Sequence, residues 1–329
     1  MELSKAQQVL IERARSAGNS ALGVHLSEEA LSFLAATIVR DLDRLREFPE
    51  IQGTIPDFFS PNPRKLVLPG VAFAPLIEKV FSLIQDADTY FACLATLHKS
   101  RLKYLNVIEY QPIPTMEQIG PRALLQYGQM SAKALAGFIL WRKWLFDIDN
   151  RAGQETGYLF EPIIANAIGG IPLSARKSPI KRHEDPSKGR QVDCLKGNKA
   201  YEIKIRVTIA ASGQGRWKEE LNFPKDCRES GYTPVLIVLD STPNPKLSEL
   251  KQAFLQEGGD VYVGEEAWQH LKEEAGSTMS RFIEKYVRAP INEVMQSTPS
   301  HLPEITLKMS DDVFCIELDG EKITYKREE

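Results

Sequence analysis

This sequence predicts a mixed α/β (α+β) fold: a mixed central β-sheet flanked by helices, with an N-terminal helical region and a small C-terminal β element. Three observations carry that prediction. Apolar residues recur every three or four positions through most of the first 150 residues. From Gly153 onward, short β-rich runs alternate with helical periodicity. After residue 300, three runs alternate apolar and polar residues around an Asp-Gly turn signal. At roughly 150 residues per domain, a chain of 329 residues has room for about two domains. The expected division is 1–150 (helical), 151–290 (sheet core) and 300–329 (a β-hairpin or meander).

The first helix starts at Ser4, which forms a capping box with Gln7, and stops at Gly18 and Asn19. Leu31, Leu34, Ala35, Ile38, Leu42 and Leu45 predict a second helix from Ser27 to about Phe48. Pro49, Pro56, Pro61, Pro63, Pro69 and Pro75 then mark a connection too proline-rich for regular helix. Periodicity resumes over Leu76–His98 and Met130–Asp149, with Trp141, Trp144 and Leu145 as expected core. A separate helix is expected over Glu155–Ile168, closed by Gly169 and Gly170, then a short strand at Ile171–Ala175 and a basic loop through Gly189. Gln191–Leu195 and Ala200–Ile209 read as a β-hairpin. A helix over Arg216–Arg228 leads to Pro234–Leu239, whose unbroken apolar run suits a buried central strand. Helix Leu247–Gln256, strand Asp260–Val263 and helices Glu265–Glu274 and Thr278–Val287 complete the unit. Ile305–Lys308, Val313–Leu318 and Lys322–Lys326 form the terminal β element, with Asp319-Gly320 as a type I′ turn.

Composition excludes several classes. Hydrophobic residues make up 43% and charged residues 26%, which is ordinary for a folded globular chain. The longest apolar run, Ala134 to Trp141, is eight residues, well short of the roughly 18 that a membrane span needs. The polar start has no signal-peptide pattern, so a cytoplasmic address is expected. Four scattered cysteines and five scattered histidines show no zinc or disulfide spacing and read as reduced thiols and isolated imidazoles. The net charge of −3 hides an asymmetry. Ser174 to Arg206 carries ten bases against four acids, a balance of +6, which leaves −9 for the remainder. A basic face on an acidic body suits a polyanion, because each base laid on a phosphate releases counterions.

The hairpin concentrates the chemistry. With Lys196–Lys199 as its loop, Leu195 faces Ala200, Cys194 faces Tyr201 and Asp193 faces Glu202. Strand alternation puts Glu202, Lys204 and Arg206 on one face and Tyr201, Ile203, Ile205 and Val207 on the core face. Directly opposed carboxylates are unfavourable, and a hard dication such as Mg²⁺ offsets the repulsion through carboxylate, water and phosphate oxygens. Lys204 stands two residues along on the same face, placed to hold a water or a phosphate oxygen. These are the parts that phosphodiester hydrolysis requires. A further acid is expected from the preceding helix, Glu161 first and Glu155 second.

Asp193, Glu202-Ile203-Lys204 and an upstream helical Glu161 resemble the PD-(D/E)XK nuclease signature, and Glu155 to Leu239 resembles the element order of that family's core. Val192 stands where the nominal proline would be. The tripeptide alone does not carry the resemblance, since Glu249-Leu250-Lys251 repeats it in a helical stretch. The resemblance covers roughly Gly153 to Val263 and is nearest to the type II restriction endonucleases, through Gln191-Val192-Asp193 and Ser212 to Trp217, with an ApaLI-like character. It implies a restriction-endonuclease-like core, Mg²⁺ held by Asp193, Glu202 and Glu161, and a water-assisting Lys204. The expected activity is Mg²⁺-dependent, sequence-specific hydrolysis of double-stranded DNA by a homodimer, whose two-fold symmetry matches a palindrome. The N-terminal helices would then serve dimerisation, DNA contact or both. A structure-guided repair or junction nuclease, or a non-catalytic DNA-binding protein on the same scaffold, are the alternatives. Expected DNA contacts are Lys181, Arg182, Arg190, Gln191, Arg206, Ser212, Gln214, Arg216 and Lys218. Gln214 and Arg216 have side chains able to read base edges in a bidentate manner, although the segment also fits a helix start with Trp217 in the core. No Walker-type Gly-Lys-Ser/Thr loop is present, so no nucleotide cofactor is expected.

Overall fold

The computed structural model describes residues 3–18, 22–205, 207 and 214–327. Helix α1 (Lys5–Arg15) begins as expected: Gln7 N donates to Ser4 Oγ (3.2 Å) and Ser4 N to Gln7 Oε1 (3.0 Å). Its stop at Gly18 is described, whereas Asn19 lies outside the described residues. Helix α2 (Glu28–Asp41) ends well before Phe48. Asp43 takes a left-handed φ of 57°, which turns the chain and lets Phe48 bury completely. The proline-rich connection contains only a 3₁₀ turn at Pro63–Lys65, and Pro75 sits in the first turn of α3 (Phe73–Leu83), where its missing N–H costs nothing. The single helix expected over Leu76–His98 is split, because Asp86 at φ 57° separates α3 from α4 (Ala87–Tyr110). A short helix α5 (Met116–Ile119) follows.

Helix α6 (Ala132–Ala167) corrects the sequence reading most. Its 36 residues merge the two helices expected on either side of residue 150 and pass through Gly153, Gly157 and Pro162. Packing against α4, the sheet and a later helix holds it together where local propensity alone would break it. Trp144 is buried and its indole donates to Gln111 O (3.2 Å), but Leu145 is exposed. Gly169, at φ 76°, ends the helix.

Strand β1 (Ile171–Leu173) leads into a two-stranded ribbon, β2 (Lys181–Arg182) and β3 (Asp185–Gly189), where the sequence suggested a loop. Then come β4 (Val192–Lys196), β5 (Lys199–Lys204), α7 (Gln214–Glu229), β6 (Thr233–Val238), α8 (Pro245–Gln256), β7 (Asp260–Val263) and α9 (Glu265–Ile283). The main sheet runs β1-β4-β5-β6-β7, antiparallel through β5 and parallel from β5 to β7. This is the mixed sheet that the element order predicts. Inside α9, Gly276 breaks the helical dihedrals at φ 69°, between the two helices expected there. A π-turn at Glu284–Arg288 and α10 (Ala289–Gln296) extend beyond the expected end. The terminal sheet has β8 (Ile305–Met309), β9 (Val313–Leu318) and β10 (Glu321–Lys326), and both Asp319 and Gly320 have positive φ, as a type I′ turn requires.

The main sheet separates two cores. Tyr201, Ile203, Val235 and Ile237 face a large cluster built from α2, α3, α4, the end of α6 and α9. Ala200, Leu236 and Val238 face Phe223, Cys227, Leu250 and Phe254 of α7 and α8. The large cluster therefore draws on both sides of residue 150. All four cysteines are buried free thiols. Among the described residues no helix is long and apolar enough to cross a membrane.

Candidate active site

The hairpin register matches the sequence reading: Cys194 pairs with Tyr201 and Leu195 with Ala200. Lys196 and Lys199 pair as well, so the turn is only Gly197-Asn198. One further step of the same register sets Asp193 opposite Glu202. Glu202 and Lys204 share the face that looks toward α7, while Tyr201 and Ile203 point into the large core.

Asp193, Glu202, Lys204 and Glu161 line one groove of about 590 Å³, together with Gln154, Tyr158, Arg182, Arg190, Gln191, Glu219 and Glu220. Helix α6 supplies one wall, α7 the other, and the hairpin the floor. Asp193 is 9% exposed, and its Oδ2 accepts from Ile203 N at 2.9 Å. Burial first, then the charges of Glu202 and Glu161, push its carboxyl well above the usual carboxylate range, against the opposing help of Ile203 N–H and Lys204. Lys204 Nζ lies 3.0 Å from Glu202 Oε1 and 3.5 Å from Glu220 Oε2. Burial by itself would lower the lysine, but Glu202 and Glu220 outweigh it and hold the group firmly as an ammonium. The groove thus gathers several carboxylates around the half-buried Lys204 ammonium.

Between the two upstream acids the geometry separates sharply. Glu161 lines the groove, whereas Glu155 is held by Lys103 Nζ at 2.7 and 2.8 Å and borders a different cavity between α1 and α4. Six residues along a helix turn a side chain through about 600°, which is 240° from where it began, so the two cannot share a face.

The expected DNA contacts divide into three groups. Gln191 is exposed and lines the groove, Lys181 is exposed on the ribbon, and Lys218 is exposed with its ammonium 2.8 Å from Glu184. Arg182 also lines the groove, paired with Glu219 at 2.7 Å. Arg190 lines the groove as well, but from an inward position. It is 7% exposed, with Nη1 3.4 Å from Asp226, Nη2 donating to Glu219 O, and its guanidinium over the Phe223 ring, so it ties the link between β3 and β4 to α7. Arg206 and Ser212 lie outside the described residues, as do the side chains of Gln214 and Arg216 at the start of α7. Trp217 packs on the α7–α8 core while its indole donates to Glu249 Oε2 (3.1 Å), the packing role that the sequence left open.

Sequence reasoning missed Gln154 and Tyr158, although they lie seven and three residues before Glu161 and so share its helix face. It also missed the Glu219-Glu220 pair on α7, and the buried Asp226, which accepts from His183 N (2.7 Å), contacts His183 Nδ1 (2.6 Å) and anchors the ribbon. Nothing in the sequence directs Glu220 toward Lys204 until α7 packs over the hairpin, and Glu219 turns instead to Arg182.

An acid cluster around a half-buried lysine, bordering an open groove on a mixed sheet, defines the class as a nuclease. The model of the ApaLI-like restriction endonuclease family matches residues 70–288. The chain is also 48% identical over 282 residues to the "Type II restriction enzyme ApaLI" of Acetobacter pasteurianus, covering 81% of this chain and 75% of that relative. No solved structure matches it. The chain therefore belongs to the ApaLI-like restriction endonuclease family and is a type II restriction endonuclease, a hydrolase that binds and cleaves DNA.

Proposed function

We propose that Asp193, Glu202 and Glu161 hold Mg²⁺ and that Lys204 assists the attacking water in sequence-specific cleavage of double-stranded DNA. The observation that carries this reading is the meeting of all four side chains on one groove. The donor set is chemically apt, since all three acids offer hard carboxylate oxygens. Among the described residues no three or more His, Cys, Asp or Glu are gathered closely enough to hold a metal ion, so the proposed binding requires these carboxylates to draw together around the ion, with water and phosphate oxygens completing its shell. When bound, Mg²⁺ supplies charge neutralisation and a more acidic water.

The protein's own groups do the remaining work. Asp193 gives up its proton before it can act as a ligand, and the Ile203 N–H then holds one carboxylate oxygen in place. Lys204 donates from its ammonium to the attacking water's oxygen or to a non-bridging phosphate oxygen, where negative charge builds as that oxygen nucleophile adds to phosphorus. Gln191 on the groove, and the exposed Lys181 on the ribbon and Lys218 on α7, serve as contacts to the duplex. In this reading, residues 151–290 form the nuclease core and 1–150 support it.

A homodimer acting on a symmetric site is part of the same reading. Leu124, Leu125, Tyr127, Phe138 and Phe146 are all exposed on the turn before α6 and along its first half, an apolar face that favours cover by a second copy. Digesting plasmid DNA with MgCl₂ and sequencing the ends tests the activity. Asp193→Ala and Lys204→Ala should abolish cleavage while mobility shifts persist, and full cleavage by Asp193→Ala would remove the mechanism. Sedimentation of wild type and Leu125→Lys tests the dimer, which the variant should weaken.

A further inference from the structure

We infer that Glu220 is a positioning residue for Lys204, clamping the ammonium from the α7 wall while Glu202 holds it from the hairpin floor. This rests on the assignment of Lys204 to the reacting groove. A lysine side chain has four rotatable bonds and three donors, and a single partner two residues away on the same strand leaves it free to swing about that contact. Here the Nζ is shared between Glu202 Oε1 at 3.0 Å and Glu220 Oε2 at 3.5 Å, with side chains only 17%, 17% and 20% exposed. A hydrogen-bonded carboxylate on the hairpin and an ion-paired carboxylate on α7 together restrict where the ammonium can lie beside the groove.

The clamp is itself braced. Arg190 Nη2 donates to the carbonyl of Glu219, the residue beside Glu220, and Arg190 Nη1 lies 3.4 Å from buried Asp226, two turns further along α7. Arg182 pairs with the Glu219 side chain at 2.7 Å. Helix α7 is thus pinned to β2 and to the link between β3 and β4 on either side of the Glu220 peptide. The basic residues between β1 and β4 therefore set where the second acceptor stands.

Single-turnover cleavage of a plasmid that the wild type cuts tests this, alongside DNA affinity measured without Mg²⁺ and the Mg²⁺ concentration for half-maximal rate. Misplacement of a reacting group by about 1 Å can cost a hundredfold, so Glu220→Ala should lower the single-turnover rate by about ten- to a hundredfold. DNA affinity and the Mg²⁺ requirement should stay at wild-type values. Glu220→Gln keeps the shape and one acceptor oxygen and should recover most of the rate. Should Glu220→Ala fail to fold, the isosteric Gln variant carries the test by a smaller fall in rate alone. An unchanged rate overturns the proposal, and so does a loss that appears in DNA affinity or in Mg²⁺ requirement. Lys204→Ala separates the two levels. If it cleaves normally, the reading of the groove fails; if it is inactive while Glu220→Ala is not impaired, only the clamp fails.

Discussion

Replacing Asp193 by Asn removes a charge from the groove while keeping an oxygen that can still accept from Ile203 N–H. Burial, then Glu202 and Glu161, raise the folded-state pKa of Asp193. A group raised in this way contributes stability that is complete below its unfolded pKa, about 3.9, and is lost as pH rises through the folded value. Without a divalent cation the wild type therefore weakens as pH climbs through that window, and the Asn variant does not. Coulomb's law sizes the Glu202 share, to which the cost of burying the charge adds. Carboxylates about 5 Å apart, the spacing of opposed strand residues, repel by about 3 kcal/mol at an effective dielectric of about 20. Attraction to Lys204 cancels part of this, leaving the variant about 1–2 kcal/mol more stable at pH 8.5. For a chain of this size that is a Tm rise of about 2–5 °C. Calorimetry in EDTA at pH 5 and pH 8.5 reads it directly, and the gap should shrink toward pH 5. Added Mg²⁺ should stabilise the wild type more than the variant. A gap independent of pH, or an Asn variant that is less stable at pH 8.5, would refute the electrostatic account.

Glu161→Gln should reduce plasmid cleavage by about a hundredfold or more, as loss of a group that stabilises charge commonly does, whereas Glu155→Gln should leave cleavage unaffected. Arg190→Met should destabilise the fold by about 1–3 kcal/mol in urea unfolding, because it removes the donor to Glu219 O and the cation 3.4 Å from buried Asp226, which keeps only His183. Lys181→Ala, on the exposed ribbon, should leave unfolding unchanged and lower the salt slope of DNA binding by about 1 in a mobility-shift titration. Gly189→Ala would drive a Cβ into the carbonyl oxygen of Ala175, and thermal unfolding should show a loss of about 1–3 kcal/mol.

Much of the fold and the floor of the groove can be read from local patterns. The hairpin register follows from period-two alternation around Gly197-Asn198, and that register alone brings Asp193 opposite Glu202 and sets Lys204 beside it. The β6 strand follows from its unbroken apolar run, and the terminal sheet from alternation around Asp319-Gly320. Helix boundaries are less legible. Asp43 and Asp86 end or separate helices through left-handed backbone that aspartate tolerates but does not announce, and Gly153, Gly157 and Pro162 signal a break that packing of α6 overrides.

The walls of the groove are tertiary. Glu161 and Glu155 are equivalent acids on one helix until the sheet fixes which face it meets. Glu220 gains a partner only when α7 docks, and Arg190 belongs among exposed basic residues by composition but inside the protein by packing. Neighbours in sequence determine period, register and turn, because those depend on bonds a few residues apart. Which charges meet across elements depends on the burial of α6 and α7 against the sheet, a balance summed over the whole core.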